Sequence, residues 1–194
     1  MPRPLPVLPL DPGRVYRTRD LSRWARNPTR LAGRLVETGV LRRLGHGLYT
    51  QPRASRFGAV PPSDEDLLRA FLGNTLFVVT GPPAWNALGL GATALYADTL
   101  AYNTKRSGAF QLGGRSFRLR RVAFPAHPPK EWFVVDLLQH AAEAGVSRQE
   151  VMKAVGRSLA AGRLDAGRLR AMAERYGRKS VRALLDWALE AHAS

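Results

Sequence analysis

Between Asn27-Pro28 and Gly39 the chain carries the start and stop signals of one helix, and a glycine-turned hairpin follows with no spacer. Asn27 offers a side-chain oxygen to the backbone N–H groups of the first turn. Pro28 takes the first helical position, where its missing N–H leaves nothing unmade. Leu31, Leu35 and Val36 recur at the helical period and mark the inward stripe. Gly39 supplies the left-handed residue that ends such a helix, so the spacing predicts a helix from Pro28 to about Thr38. The next residues, Val40-Leu41-Arg42-Arg43-Leu44-Gly45-His46-Gly47-Leu48-Tyr49-Thr50, are two short apolar runs around a Gly-His-Gly tip, which predicts a β-hairpin. Upstream, Thr18 is expected to cap an earlier helix in which Leu21, Trp24 and Ala25 share a face.

Helix, short turn, helix and basic hairpin is the order of a winged helix-turn-helix, which sets its second helix in the DNA major groove. Opposite the apolar stripe of that helix lie Thr29, Arg30, Gly33, Arg34 and Glu37. Arg30 and Arg34 are one turn apart, a spacing suited to guanine edges or phosphates. Thr29 stands near the free N–H groups of the helix start, where phosphate binds, and Gly33 allows close approach of a DNA backbone. In the hairpin, Arg42 and Arg43 suit phosphate contacts, and His46 is a candidate minor-groove probe. Arg19, Arg23 and Arg26 could fasten the other side. Each of these arginines taken singly also fits a solvated face, and His46 also fits a simple turn.

Charge supports the grouped reading. The 194 residues carry a net +15 from 30 basic and 15 acidic side chains, and only four of the basic ones are lysine. An arginine-rich composition alone would spread that charge evenly, but residues 1–57 hold +9, while 58–131 and 132–194 hold +3 each. Such a balance suits a polyanionic partner.

The remainder predicts an α+β chain in four parts. A Pro-rich arm occupies 1–14, five prolines falling in 1–12 and suggesting an extended, loosely held segment. The winged helix-turn-helix covers 15–57, and Gln51 to Pro62 reads as a linker. A small mixed α/β domain covers 58–130, with a Ser63-capped helix over 64–72 and a short helix at 84–88. Its strands are expected near 75–80, 98–104, 109–112 and 115–124. A helical C-terminal part over 131–194 packs on it, with helices near 131–144, 147–161, 165–176 and 178–191. On the first of these, Asp136, His140 and Glu143 read as the wet side, with Phe133, Leu137 and Leu138 buried. Leu184, Leu185, Trp187 and Leu189 read as core. Arg157, Arg163, Arg168 and further arginines beyond them read as solvated faces, or as a basic patch toward DNA or an acidic partner.

Val15 to Leu21, Leu31 to Leu35, and the Leu41, Gly45, Gly47 and Tyr49 of the hairpin together resemble the N-terminal domain of AbiEi-type antitoxins of bacterial type IV toxin–antitoxin systems. Ala84-Trp85-Asn86-Ala87-Leu88-Gly89-Leu90 resembles that family's short "alanine-leucine-glycine-leucine" helix, and Thr99 to Asn103 with Phe110 to Val122 resemble the strands after it. The likeness runs in order over roughly residues 15–145. One departure is that the Pro-rich arm stands where relatives often carry a further helix. The resemblance implies an antitoxin that represses its own operon by binding repeats in the promoter; the expected partner is double-stranded promoter DNA, bound as a monomer or weak dimer. It also implies a C-terminal domain that opposes a nucleotidyltransferase-type toxin.

Enzyme chemistry finds little footing. The chain has no cysteine, so thiolate metal sites and thiol nucleophiles are excluded. Gly89-Leu90-Gly91-Ala92-Thr93-Ala94 matches a dinucleotide fingerprint only formally, since a short helix precedes it and Asp98 comes too soon. Asp98 with Lys105 lacks the second acid of a nuclease, and His46, His127, His140 and His192 have no ligand spacing. No catalytic residue, metal or cofactor is therefore expected. The N-terminus lacks the apolar core of a signal peptide and no run approaches a membrane span, which predicts a soluble, cytoplasmic protein with no membrane partner. Two other readings remain: a module that neutralises an acidic protein by direct contact, and a stand-alone winged-helix regulator. RNA binding is less favoured because no aromatic stacking platform accompanies the basic residues.

Overall fold

The computed structural model describes residues 7–193, with side chains through Glu190, and is an α+β structure. Its contacts divide the chain into two units, Met1–Thr75 with Ala109–Phe117, and Leu76–Gly108 with Arg118–Ser194. The first break thus falls at Thr75, whereas the sequence suggests one near residue 57. The reason is a helix with four buried apolar residues, Leu67, Leu68, Phe71 and Leu72, which packs on the first strand.

In the first unit, β1 (Val15–Arg17), a 3-10 helix (Thr18–Arg23), α1 (Pro28–Glu37), β2 (Arg42–Gly45) and β3 (Leu48–Thr50) follow in order. The strands form an antiparallel sheet ordered β1-β3-β2, with Tyr49 opposite both Tyr16 and Arg43. Tyr16, Leu21, Leu31, Ala32, Leu35, Leu41 and Tyr49 make the core under this sheet. Helix α1 starts as its cap chemistry dictates, the Asn27 side chain accepting from the Arg30 N–H at 2.9 Å.

Three local expectations are corrected here. The helix expected after Thr18 is a 3-10 turn, too short for α-helical nucleation to be favourable. Thr18 does not cap it. Its hydroxyl donates instead to the Gly47 carbonyl at 3.3 Å, while Asp20 accepts from the Arg17 N–H at 2.8 Å. The Pro-rich arm is not loose where it is described. Leu8 and Leu10 pack on the core, Asp11 donates its N–H to the Tyr16 hydroxyl at 2.6 Å, and Gly13 donates to the Gln51 carbonyl at 2.8 Å. Residues 1–6 of the arm lie outside the described residues. The segment read as a linker forms a hairpin, β4 (Arg53–Ser55) and β5 (Gly58–Val60), exposed along its whole length. With no apolar face it lacks the alternation by which a strand is recognised.

Helix α2 (Asp64–Leu72) closes the first unit's main run; Ser63 accepts from the Asp66 N–H at 3.1 Å, and Gly73 ends it at φ +71°. The second unit begins with β6 (Phe77–Thr80), α3 (Pro82–Ala87) and β7 (Thr99–Asn103). Then come β8 (Gly108–Leu112), β9 (Arg115–Arg121), α4 (Lys130–Gln139), α5 (Arg148–Ala160), α6 (Ala166–Tyr176) and α7 (Lys179–Ala193). The strands are ordered β6-β7-β9-β8, and the contacts of β8 and the start of β9 count with the first unit. Trp85, Tyr102, Trp132, Leu137, Leu138, Val151, Leu169, Val181 and Leu185 belong to one continuous core. Trp187, read as core, is instead 70% exposed.

Helix α4 has no wet side from Glu131 to Leu138, where every residue is buried except Phe133, which was expected in the core and is half-buried. Asp136 and His140, expected in water, are therefore interior, and Glu143 alone of the three is exposed. Asp136 is held by residues of three other elements and by His140 at the end of its own helix. One carboxylate oxygen accepts from the Thr80 hydroxyl at 2.6 Å and from Trp85 Nε1 at 2.9 Å. The other accepts from the Tyr102 hydroxyl at 2.8 Å and lies 3.3 Å from His140 Nδ1. Burial alone would raise the Asp136 pKa, but hydrogen bonds from His140, Thr80 and Trp85 outweigh it and hold the carboxyl below its ordinary value. Burial, and then the charge of Asp136, push the Tyr102 phenol far up. Burial disfavours a charged His140 ring, yet the bond to Asp136 prevails and lifts its pKa. Arg120 Nη1 sits 3.1 Å from His140 Nε2, a contact that needs the lone pair of the neutral ring. Protonation of His140 and this arginine contact are thus mutually exclusive.

Candidate nucleic-acid interface

The turn of the β2–β3 hairpin is built by backbone conformation. His46 and Gly47 have φ of +48° and +70°, the pair of left-handed residues that a tight two-residue hairpin turn requires. The Thr18 N–H donates to the Gly47 carbonyl at 2.9 Å, tying the turn to the start of the 3-10 helix. A Cβ at Gly47 would approach the Thr18 hydroxyl at 3.0 Å, so this position is restricted both by φ and by space.

The hairpin does not project freely at its tip. The His46 ring, though exposed, meets Phe71 and Phe110 edge-on, with centroids 5.7 and 6.0 Å away. The Leu44 carbonyl accepts from the Gly113 N–H at 2.8 Å. His46, singled out as a groove probe, thus stands against an aromatic pair in this structure. Arg42 and Arg43 on β2 are both exposed.

On α1, Thr29, Arg30 and Gly33 are exposed, Arg34 is half-buried, and Leu31, Ala32 and Leu35 face the core. A Cβ at Gly33 would meet no atom within 4 Å, so the fold itself leaves this position open. Arg19, Arg23 and Arg26 are exposed. Arg19 lies 3.9 Å from an Asp20 oxygen, and the Arg23 guanidinium stands over the Trp24 ring at 5.1 Å from its centroid. The predicted residues therefore divide among α1, β2, the hairpin turn (His46), the 3-10 helix and the segment after it (Arg26), and of them Arg19 and Arg23 share the walls of one cleft.

Sequence reasoning missed the β4–β5 hairpin, whose exposed Arg53, Arg56 and Phe57 add two cations and no acid. Phe57 is 86% exposed, with the Arg56 guanidinium 4.8 Å from its ring centroid. The Arg56-Phe57-Gly58 stretch, a two-residue turn running into the glycine that opens β5, was the available signal.

Among the described residues no group of three or more histidines and carboxylates is placed to hold a metal ion. Gly89-Leu90-Gly91 follows the short α3 and runs into irregular chain, and Asp98 pairs with Arg118 at 3.1 Å. No described helix is long and apolar enough to cross a membrane. No family model matches the chain, and no curated protein matches it.

Proposed function

We propose that this chain is a sequence-specific DNA-binding autorepressor of the antitoxin type, its first unit a winged helix-turn-helix. The observation that carries the reading is the exposed Arg30 on α1, with the half-buried Arg34 one turn on, and the exposed Arg42 and Arg43 on β2, within the third of the chain that holds +9 of the +15. Helix α1 acts as the recognition helix and presents Arg30 and Arg34 to base edges. The β2–β3 hairpin acts as the wing, with Arg42 and Arg43 on backbone phosphates. The second unit opposes a nucleotidyltransferase-type toxin, a role that rests on the antitoxin resemblance alone.

The direct test is fluorescence anisotropy with duplex DNA from upstream of the chain's own gene, across a salt series. A specific site bound well above random duplex is the expected result; absence of binding at low salt removes the proposal. Arg42→Ala should weaken specific and random duplexes alike and reduce the slope of log affinity against log salt by about 1. A loss confined to one sequence would reassign Arg42 to base reading.

Gly33→Ala separates the fold from the interface. A methyl group there meets nothing in the protein, and alanine stabilises a helix interior by roughly 0.5–1 kcal/mol over glycine. The variant should therefore melt higher yet bind the specific duplex more weakly. Unchanged affinity would mean that no DNA backbone passes close to Gly33.

A further inference from the structure

The first unit contains a cleft of about 590 Å³ walled by Arg14, Arg17, Arg19, Arg23, Arg53 and Arg69. Opposing them in the lining are the carboxylates of Asp20 and Asp66. Both carboxylates are engaged: Asp20 accepts from the Arg17 N–H, and Asp66 from the Ser63 hydroxyl at 2.6 Å. Arg14, Arg19 and Arg69 have ion pairs that are largely exposed, with Asp11, Asp20 and Glu65, and such pairs exchange readily with solvent or a stronger anion. Arg17, Arg23 and Arg53 have no carboxylate partner among the described residues.

Arg17 is the most telling of these. Its side chain lies against Gly73, at the end of α2, where any Cβ would collide with Nη1. Nη1 is withdrawn from water and has no hydrogen-bond acceptor. A guanidinium packed on a helix end with no carboxylate beside it keeps an uncompensated charge at the cleft wall, which an anion at its remaining nitrogens would neutralise. Arginines lining one space from β1, the 3-10 helix, β4 and α2 suit a multiply charged, multidentate oxyanion better than a single carboxylate. The volume lies within the range of small-ligand sites.

We infer that this cleft binds a phosphate-bearing anion, with Arg17, Arg23 and Arg53 as its principal ligands. The phosphate could belong to a free di- or triphosphate or to a nucleic-acid backbone, and binding here does not require that α1 read DNA. Isothermal titration of the full chain with inorganic pyrophosphate at low ionic strength tests the inference. Saturable binding that weakens with salt is expected, and Arg17→Gln and Arg53→Gln should each weaken it about tenfold. Arg53 sits on an exposed strand, so its variant remains informative if Arg17→Gln does not fold.

Heat that never saturates overturns the inference, as does pyrophosphate affinity unchanged in a folded Arg53→Gln. Random duplex DNA distinguishes the source. If Arg53→Gln also lowers duplex affinity and the salt slope by about 1, the phosphate is that of a backbone. If duplex affinity stays while pyrophosphate affinity falls, the site serves a free ligand. A chain that binds pyrophosphate but no DNA leaves the cleft standing and removes the repressor reading.

Discussion

Asp136→Ala is expected to destabilise the second unit by about 3–5 kcal/mol, the range for removing one partner of a buried charged network. The substitution removes the acceptor for Thr80, Trp85 and Tyr102 together, and the charge beside His140. Asp136 is 2% exposed, so the donors it leaves behind are interior ones. Each orphaned donor costs about 1–3 kcal/mol, against a total domain stability of about 5–15 kcal/mol. Asp136→Asn should recover little, because its amide nitrogen would face donors where an oxygen now accepts. Urea denaturation followed by circular dichroism measures the loss, and a change below about 1 kcal/mol for Asp136→Ala would show the network to be dispensable.

The same residue sets an acid limit. The folded Asp136 carboxyl lies below the unfolded value of about 3.9, so its contribution is complete above that pH. It is lost as pH falls through the lower folded value. Stability of the native chain should drop below about pH 4, and Asp136→Asn should flatten that part of the profile.

Arg30→Ala and Arg34→Ala are each expected to weaken binding to the specific duplex by about 1–3 kcal/mol and to relax the preference at the bases they contact. A bidentate guanidinium–guanine contact is geometric, so its loss falls on the correct sequence and spares random DNA. Arg30 is exposed, and its removal should leave folding stability within about 0.5 kcal/mol. Anisotropy against the specific duplex and single-base variants of it reads both effects. An equal loss on all sequences would place these arginines on phosphates, and no loss would move the interface off α1.

Helix ends were legible because their chemistry is local. Asn27 and Ser63 each cap a helix by accepting from the N–H three residues on, and Gly39 follows α1 in the left-handed conformation, at φ +74°. The β2–β3 turn was equally legible, since a Gly-His-Gly tip between two short apolar runs marks a hairpin from neighbouring residues alone. Thr18 was misassigned because a cap and a tie to Gly47 use the same hydroxyl, and the choice depends on a turn 29 residues away. The β4–β5 hairpin escaped notice because both its strands are exposed and no apolar alternation marks them.

By itself the sequence determined where α1 begins, how the hairpin after it turns, and that the first third carries most of the charge. Each follows from neighbours in the chain or from a sum over it, and needs no knowledge of packing. Tertiary structure alone decided that Asp136 and His140 are interior, that His46 meets Phe71 and Phe110, and that six arginines share one cleft. A charged residue gives the same local signal whether it faces water or a ring of donors. What distinguishes the two is the company brought by folding, as when Thr80, 56 residues away, closes on Asp136.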